Sequence, residues 1–199
     1  MKTPFARMSD DLMNQNSHLN QLLVLPSQRD HYQGVLNASI VLVEYGNYQC
    51  PQCREVHQLI QEIQQHFSSE FPEENWLCVV FRHFIDEHLA YPQVQKAAEV
   101  AEAAAAQGQF WQMHDMLFTH QEALDDGYLV EYANRLGLDI SQFLQDLSKQ
   151  VHIDRINQDI QSGIQSGVTI APALFINGIR YRDRWNVEQL MAAITTASY

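Results

Sequence analysis

Two cysteines separated by two residues, Cys50-Pro51-Gln52-Cys53, are the side chains of this sequence best placed to do chemistry. Thiols three positions apart on one helical turn can close into a disulfide with little backbone movement, which is what a reversible dithiol–disulfide switch needs. Their behaviour depends on what holds them. Ahead of them Ile40-Val41-Leu42-Val43 runs into Glu44-Tyr45, and Gly46 and Asn47 close the run, so a buried strand is predicted there. Behind them Val56, Leu59, Ile60, Ile63 and Phe67 recur at helical spacing among glutamines, predicting a helix from about Pro51 to Phe67. Pro51 fits a first helical turn, where a missing N–H costs nothing. A helix N-terminus has unpaired N–H groups and a partial positive charge, and both favour a thiolate at Cys50. Cys53 lies one turn deeper and is placed to attack a mixed disulfide formed at Cys50.

Other groups have competing uses. Glu44 shares a strand face with Ile40 and Leu42, so its carboxyl is expected in apolar surroundings with a raised pKa, suited to moving the Cys53 proton; the alternative is an exposed strand-end acid. Cys50, Cys53 and His57 could supply three zinc ligands, but a structural zinc site takes four at recognisable spacing, and no second CxxC or H-x₃-H pair is present. No metal and no cofactor is therefore expected. Cys78, in the middle of an apolar run, reads as a small core residue. His83, His88 and His114 share no spacing and read as packing or surface histidines, and Trp111 and Met113 as core.

Bulk properties narrow the class. The 199 residues fit one domain with an insertion and can bury a sizeable core. A formal net charge of −12 argues against nucleic acid and anionic membrane as partners. No run approaches the length of a membrane span, and no signal-peptide pattern opens the chain, so a cytoplasmic location is expected. Three cysteines are too few for a disulfide framework, and in a reducing compartment a CxxC reads as catalytic or metal-binding.

Along the chain, residues 1–33 read as an irregular arm, with Leu22–Leu25 as an edge strand, and 34–199 as one domain. Trp76–Phe84 is a second strand, and strand–helix–strand predicts a parallel pair. From about 92 to 166 about four helices follow, with Asp126 and Asp139 as caps and Gly137 and Gly167 as stops. Pro172 then precedes Ala173–Ile176, Asn177-Gly178 and Ile179–Tyr181, a type I′ hairpin signal, and a last helix covers Val187 to about Thr196.

The order and the motifs together resemble the DsbA-like branch of the thioredoxin fold: α/β, with an inserted α-helical subdomain. The matching stretches are Val41–Cys53, Val79–Phe84, Gly108–Asp115 and Gly167–Gly178, and together they reach from about residue 35 to the C-terminus. The resemblance implies a bacterial thiol–disulfide oxidoreductase acting on protein or small-molecule thiols and disulfides. Cys50 matches the exposed nucleophile, Cys53 the buried resolving cysteine and Glu44 the buried acid. Pro172 matches a cis-proline facing the disulfide, although X-Pro statistics alone assign a trans bond. Ala171, Pro172, Pro51 and Gln52 would then border the substrate, which could pair with the Ala171 backbone like an added strand. Three departures stand out: the dipeptide between the cysteines is Pro-Gln where periplasmic DsbA has Pro-His, Ala171 stands where relatives often carry Thr or Val, and no signal peptide is evident although many relatives are exported. Without the histidine Cys50 loses one stabilising donor, and in the cytosol such a protein would mostly be held reduced, so reduction or isomerisation is expected rather than oxidation. The alternative is a non-catalytic binding or redox-sensing module with the CxxC as sensor or metal clip.

Overall fold

The computed structural model describes residues 20–70, 76–86 and 92–197. The β-branched run forms β2 (Ile40–Gly46), and the amphipathic segment after it forms α1 (Pro51–Glu70), one turn longer than its apolar spacing predicts. β3 (Leu77–His83) pairs parallel with β2, Leu42 opposite Val79. β4 (Ala173–Ile176) pairs antiparallel with the other edge of β2, Leu42 opposite Ile176. β5 (Ile179–Arg180) closes the hairpin, with Asn177 and Gly178 at φ 47° and 80°, as a type I′ turn requires. α7 (Val187–Ala197) follows, its first turn capped by the Asn186 side chain, which accepts from the Gln189 N–H at 2.9 Å.

The other edge of the sheet departs from expectation. The edge strand is β1 (His31–Gln33), antiparallel to β3, which makes the strand order β1-β3-β2-β4-β5. Leu22–Leu25 is not a strand. Its neighbour Gln21 makes an isolated bridge to Ile179, Leu22 is buried, and the carbonyls of Val24 and Leu25 accept from the Arg82 guanidinium. With those carbonyls taken, and Pro26 next, no ladder can run there.

Among the described residues five helices lie between β3 and β4, where about four were expected: α2 (Pro92–Ala105), α3 (Phe110–Thr119), α4 (Asp126–Arg135), α5 (Ile140–Ser148) and α6 (Ile153–Gln165). Asp139 caps α5 by accepting from the Gln142 N–H at 3.0 Å. Asp126 does not cap α4: Asp125 holds the N-cap position, and Asp126 instead accepts from Lys96 Nζ at 2.6 Å. His88 lies outside the described residues.

Among the described residues three large packed regions result, with a small fourth of Ile85, Val94, Ala98 and Ile156. α1 and α7 cover one sheet face through Val56, Ile60, Ile63, Leu190 and Ile194. The opposite face carries Val43, Tyr45, Cys78, Val80 and Phe175, so Cys78 is core. The helical block has its own core around Ala101, Leu117, Phe118 and Phe143, and Tyr48, Cys53 and Phe81 belong to it. Gly163 of α6 lets that helix close on the sheet: a Cβ there would stand 2.8 Å from Phe84 Cδ2 and 3.1 Å from Tyr45 Cδ1. Gly163→Val is expected to cost about 1–3 kcal/mol by overpacking, read as a lowered midpoint in thermal unfolding.

Candidate active site

The strand, the loop after it and the first turn of α1 deliver the cysteines. Asn47 organises the loop, its side-chain oxygen accepting from the Gln49 N–H at 3.1 Å. Both CxxC cysteines are thiols, Cys50 half-buried and Cys53 buried. The Cys53 backbone N–H donates to Cys50 Sγ at 3.1 Å, so the helix start does aim a donor at the outer sulfur. The Cys50 thiol is lowered from its ordinary pKa, chiefly by its hydrogen bond with the Cys53 side chain, with backbone N–H groups helping against burial. Cys53 moves the opposite way: burial, then the hydrogen bond with Cys50 and the charge on Glu44, push it up. Burial pushes Cys78 up to about 11, which suits an inert core thiol.

The other candidates gather around Cys50 to different degrees. The Ala171–Pro172 peptide is cis, and the Ala171 carbonyl accepts from Cys50 Sγ at 3.7 Å. Gln52 turns its side-chain oxygen, an acceptor, toward Cys50 Sγ at 3.8 Å. Pro51 and Gln52 join Cys50, Ile170 and Ala171 around a cleft of about 260 Å³ whose far wall is Ile85 and Val94. A larger open groove of about 860 Å³, between β5 and α7, contains none of these residues. Gln121 completes the frame: its side-chain amide donates to the Cys50 carbonyl at 2.8 Å. Nothing in the local sequence marks Gln121, because the contact joins α1 to the loop after α3 through tertiary packing.

Glu44 is buried, on the α1 side of the sheet, and its Oε1 has no hydrogen-bond partner. Burial, with the Cys50 charge adding to it, pushes the carboxyl up to about 8. A raised acid favours folding while it is protonated, so this group's effect turns against the fold as pH climbs from the unfolded value toward 8. Glu44→Gln removes that dependence. Its stability relative to the parent is expected to improve by roughly 2–3 kcal/mol between pH 5 and pH 7, measured by urea unfolding at each pH. A difference that does not change with pH would put the carboxyl in water.

Sequence reasoning also missed Tyr48 and Asp115, and weighed His57 only as a third zinc ligand beside the two cysteines. Tyr48 is fully buried and bonds His114 Nδ1 at 3.0 Å, and His57 Nε2 lies 3.3 Å from Asp115 Oδ1. His57 sits one turn beyond Cys53 on α1, but its side chain meets Asp115 and His114.

Comparison with known proteins agrees with this geometry. A family model described as thioredoxin matches residues 27–196. BdbD from Bacillus subtilis, in its oxidised crystal structure, superposes with a TM-score of 0.74 at 17% identity over 90% of this chain and 98% of its own. Wolbachia pipientis alpha-DsbA1 gives 0.73 at 20% identity over 88% and 94%. A protein named Na(+)/H(+) antiporter NhaA 3, from Salinispora tropica, is 36% identical over 96% of this chain, and a Na(+)/H(+) antiporter NhaA from Herminiimonas arsenicoxydans is 34% identical over 83%. The chain spans about 28% and 25% of the lengths of these two curated relatives. Among the described residues no helix is long and apolar enough to cross a membrane. The chain belongs to the thioredoxin family, in the DsbA-like form of its fold with a helical block inserted between β3 and β4.

Proposed function

We propose that the protein is a thiol–disulfide oxidoreductase working through Cys50 and Cys53. The observation that carries this reading is the opposite displacement of the two thiols, one lowered and half-exposed, the other raised and buried. In the reductive direction the Cys50 thiolate attacks a substrate disulfide. One substrate sulfur leaves as a thiolate and takes a proton from water, and a Cys50–substrate disulfide forms. Cys53 then gives its proton to ionised Glu44 and attacks Cys50 Sγ. The second substrate thiolate leaves, and the protein holds a Cys50–Cys53 disulfide. The reverse steps oxidise a dithiol. The substrate backbone would lie along Ala171 and Pro172, with Pro51 and Gln52 at its side.

Direction follows from Gln52. A strong oxidant is strong because its reduced form is stabilised. Here the side chain between the cysteines turns an amide oxygen, not a cationic imidazole, toward Cys50 Sγ, so the backbone N–H of Cys53 acts without a side-chain donor from residue 52. The proposed role is therefore reductase or isomerase, in a reducing setting such as the cytoplasm. A redox-sensing module is a second reading, favoured by the relatives in which a comparable domain makes up about a quarter of a protein named as an antiporter. Two measurements separate them: insulin reduction with dithiothreitol, and the equilibrium of the Cys50–Cys53 pair with glutathione. The enzyme reading expects turnover and a potential nearer thioredoxin, about −270 mV, than DsbA, about −120 mV. A reversible couple without turnover favours the sensor, and a potential near DsbA overturns the assigned direction.

A further inference from the structure

Glu44 forms part of the wall of a cavity of about 130 Å³, and the proposed disulfide exchange uses no other residue of that wall. His57 from α1, and His114 and Asp115 from α3, meet on its wall, each offering a ligand atom within 4.8 Å of the others. We propose that this cavity is a binding site for a divalent transition-metal ion of the zinc class, held by His57, His114 and the Asp115 carboxylate.

The donor set has the right chemistry. Two imidazoles and one carboxylate suit zinc and its neighbours, and three protein ligands leave a fourth position for water. Tetrahedral bonds of about 2.0–2.2 Å need donors roughly 3.3–3.6 Å apart. His57 Nε2 and Asp115 Oδ1 already stand at 3.3 Å, and the ligand atom of His114 lies within 4.8 Å of both. His114 is oriented for the task. Its Nδ1 lies 3.0 Å from the Tyr48 hydroxyl; as a donor to that oxygen it leaves the Nε2 lone pair for the ion, the usual arrangement of a metal-binding histidine. The rings are held in place: His57 stacks on Phe118 at 4.8 Å between centroids, and His114 meets Phe81 edge-on at 4.5 Å.

A second observation points the same way. Glu44 lines this cavity too, and its Oε1 is buried with no hydrogen-bond partner. A cation, or a water on that cation, supplies what this oxygen lacks. The Asp115 side chain is half-exposed and gives the ion an entry path. The other cluster of comparable donors, His83, Glu102 and Asp159, is already committed: Glu102 to His31 and His83, and Asp159 to Arg155.

The test uses the full chain with Cys50→Ser and Cys53→Ser, so that thiols contribute no zinc site and the result is independent of disulfide exchange. Co²⁺ is titrated with visible spectroscopy, and Zn²⁺ by competition with a chromophoric chelator. Expected are one equivalent bound, tetrahedral d–d bands without a thiolate charge-transfer band, and affinity weakened by about tenfold or more in His57→Gln and in Asp115→Asn. His66→Gln, an exposed histidine on the same helix, leaves affinity unchanged. Because Asp115 is half-exposed, Asp115→Asn keeps the test intact even if His57→Gln unfolds. No stoichiometric binding, equal affinity in Asp115→Asn, or an equal loss in His66→Gln overturns the proposal.

Discussion

A Cys53→Ser variant is expected to accumulate as a mixed disulfide with substrate through Cys50, and Cys50→Ser to lose disulfide exchange down to the uncatalysed rate. The asymmetry rests on geometry. Cys50 is half-exposed at the start of α1 and accepts the Cys53 backbone N–H, so it can meet substrate as a thiolate. Cys53 is buried in the core of the helical block and can reach only the sulfur of Cys50. Removing the inner thiol therefore leaves the first attack intact and deletes the second. Non-reducing electrophoresis with a disulfide-bonded peptide reads the trapped adduct. Alkylation near pH 7 should modify Cys50 first and spare Cys78. Faster modification of Cys53 or Cys78 would reverse the assigned roles. Full activity in both single variants would remove the CxxC from the chemistry.

Arg82→Met is expected to destabilise the fold by about 3–5 kcal/mol, the usual cost of stranding one partner of a buried pair. Arg82 is 2% exposed, in the middle of β3. Its Nε donates to Asp30 Oδ1 at 2.6 Å, and its other nitrogens to Asp30 Oδ2, the Val24 and Leu25 carbonyls and the Tyr45 hydroxyl. Burial alone would raise the Asp30 carboxyl, but the Arg82 contacts outweigh it and hold it below its ordinary value. A depressed acid stabilises the fold above its unfolded pKa, and that contribution is lost as pH falls through the folded one. In Arg82→Met the sign reverses, because an unpaired buried carboxylate gains from protonation. Urea unfolding at pH 4 and pH 7 should show the variant's deficit shrinking at the lower pH. Asp30→Asn combined with Arg82→Met should be less damaging than Arg82→Met alone. A deficit that is the same at both pH values would mean that the pair contributes packing and little charge.

The sequence was most legible where short-range pattern and chemistry coincide. The β-branched run before the CxxC, the apolar spacing after it and Asn177-Gly178 each specify local backbone, and each element formed where expected. Local signals failed where partners come from elsewhere in the chain. β1 is three half-buried residues, His31-Tyr32-Gln33, with no alternation to read, and it exists because β3 offers an edge. Leu22–Leu25 has strand composition, but Arg82 claims its carbonyls. Asp125 and Asp126 are equivalent by type, and only the helix geometry decides which one occupies the N-cap position of α4. His114 read as a packing or surface residue and His57 as a ligand candidate beside the cysteines; α1 and α3 bring the two into ring contact at 4.9 Å. The placement of Glu44 was readable because strand alternation assigned it to the face of Ile40 and Leu42.

The position of β2 bears on how the chain must be made. Its parallel partner β3 follows one helix later, but its other edge stays unpaired until Ile176 comes opposite Leu42. During synthesis the whole helical block emerges before that edge can be covered. A nascent chain at this stage carries an exposed, apolar central strand, the kind of template that pairs with other chains. Pairings so distant in sequence also slow folding, since loop closure precedes their reward. Truncation before residue 173 should therefore yield aggregates rather than a smaller folded domain, and refolding yield should fall as protein concentration rises.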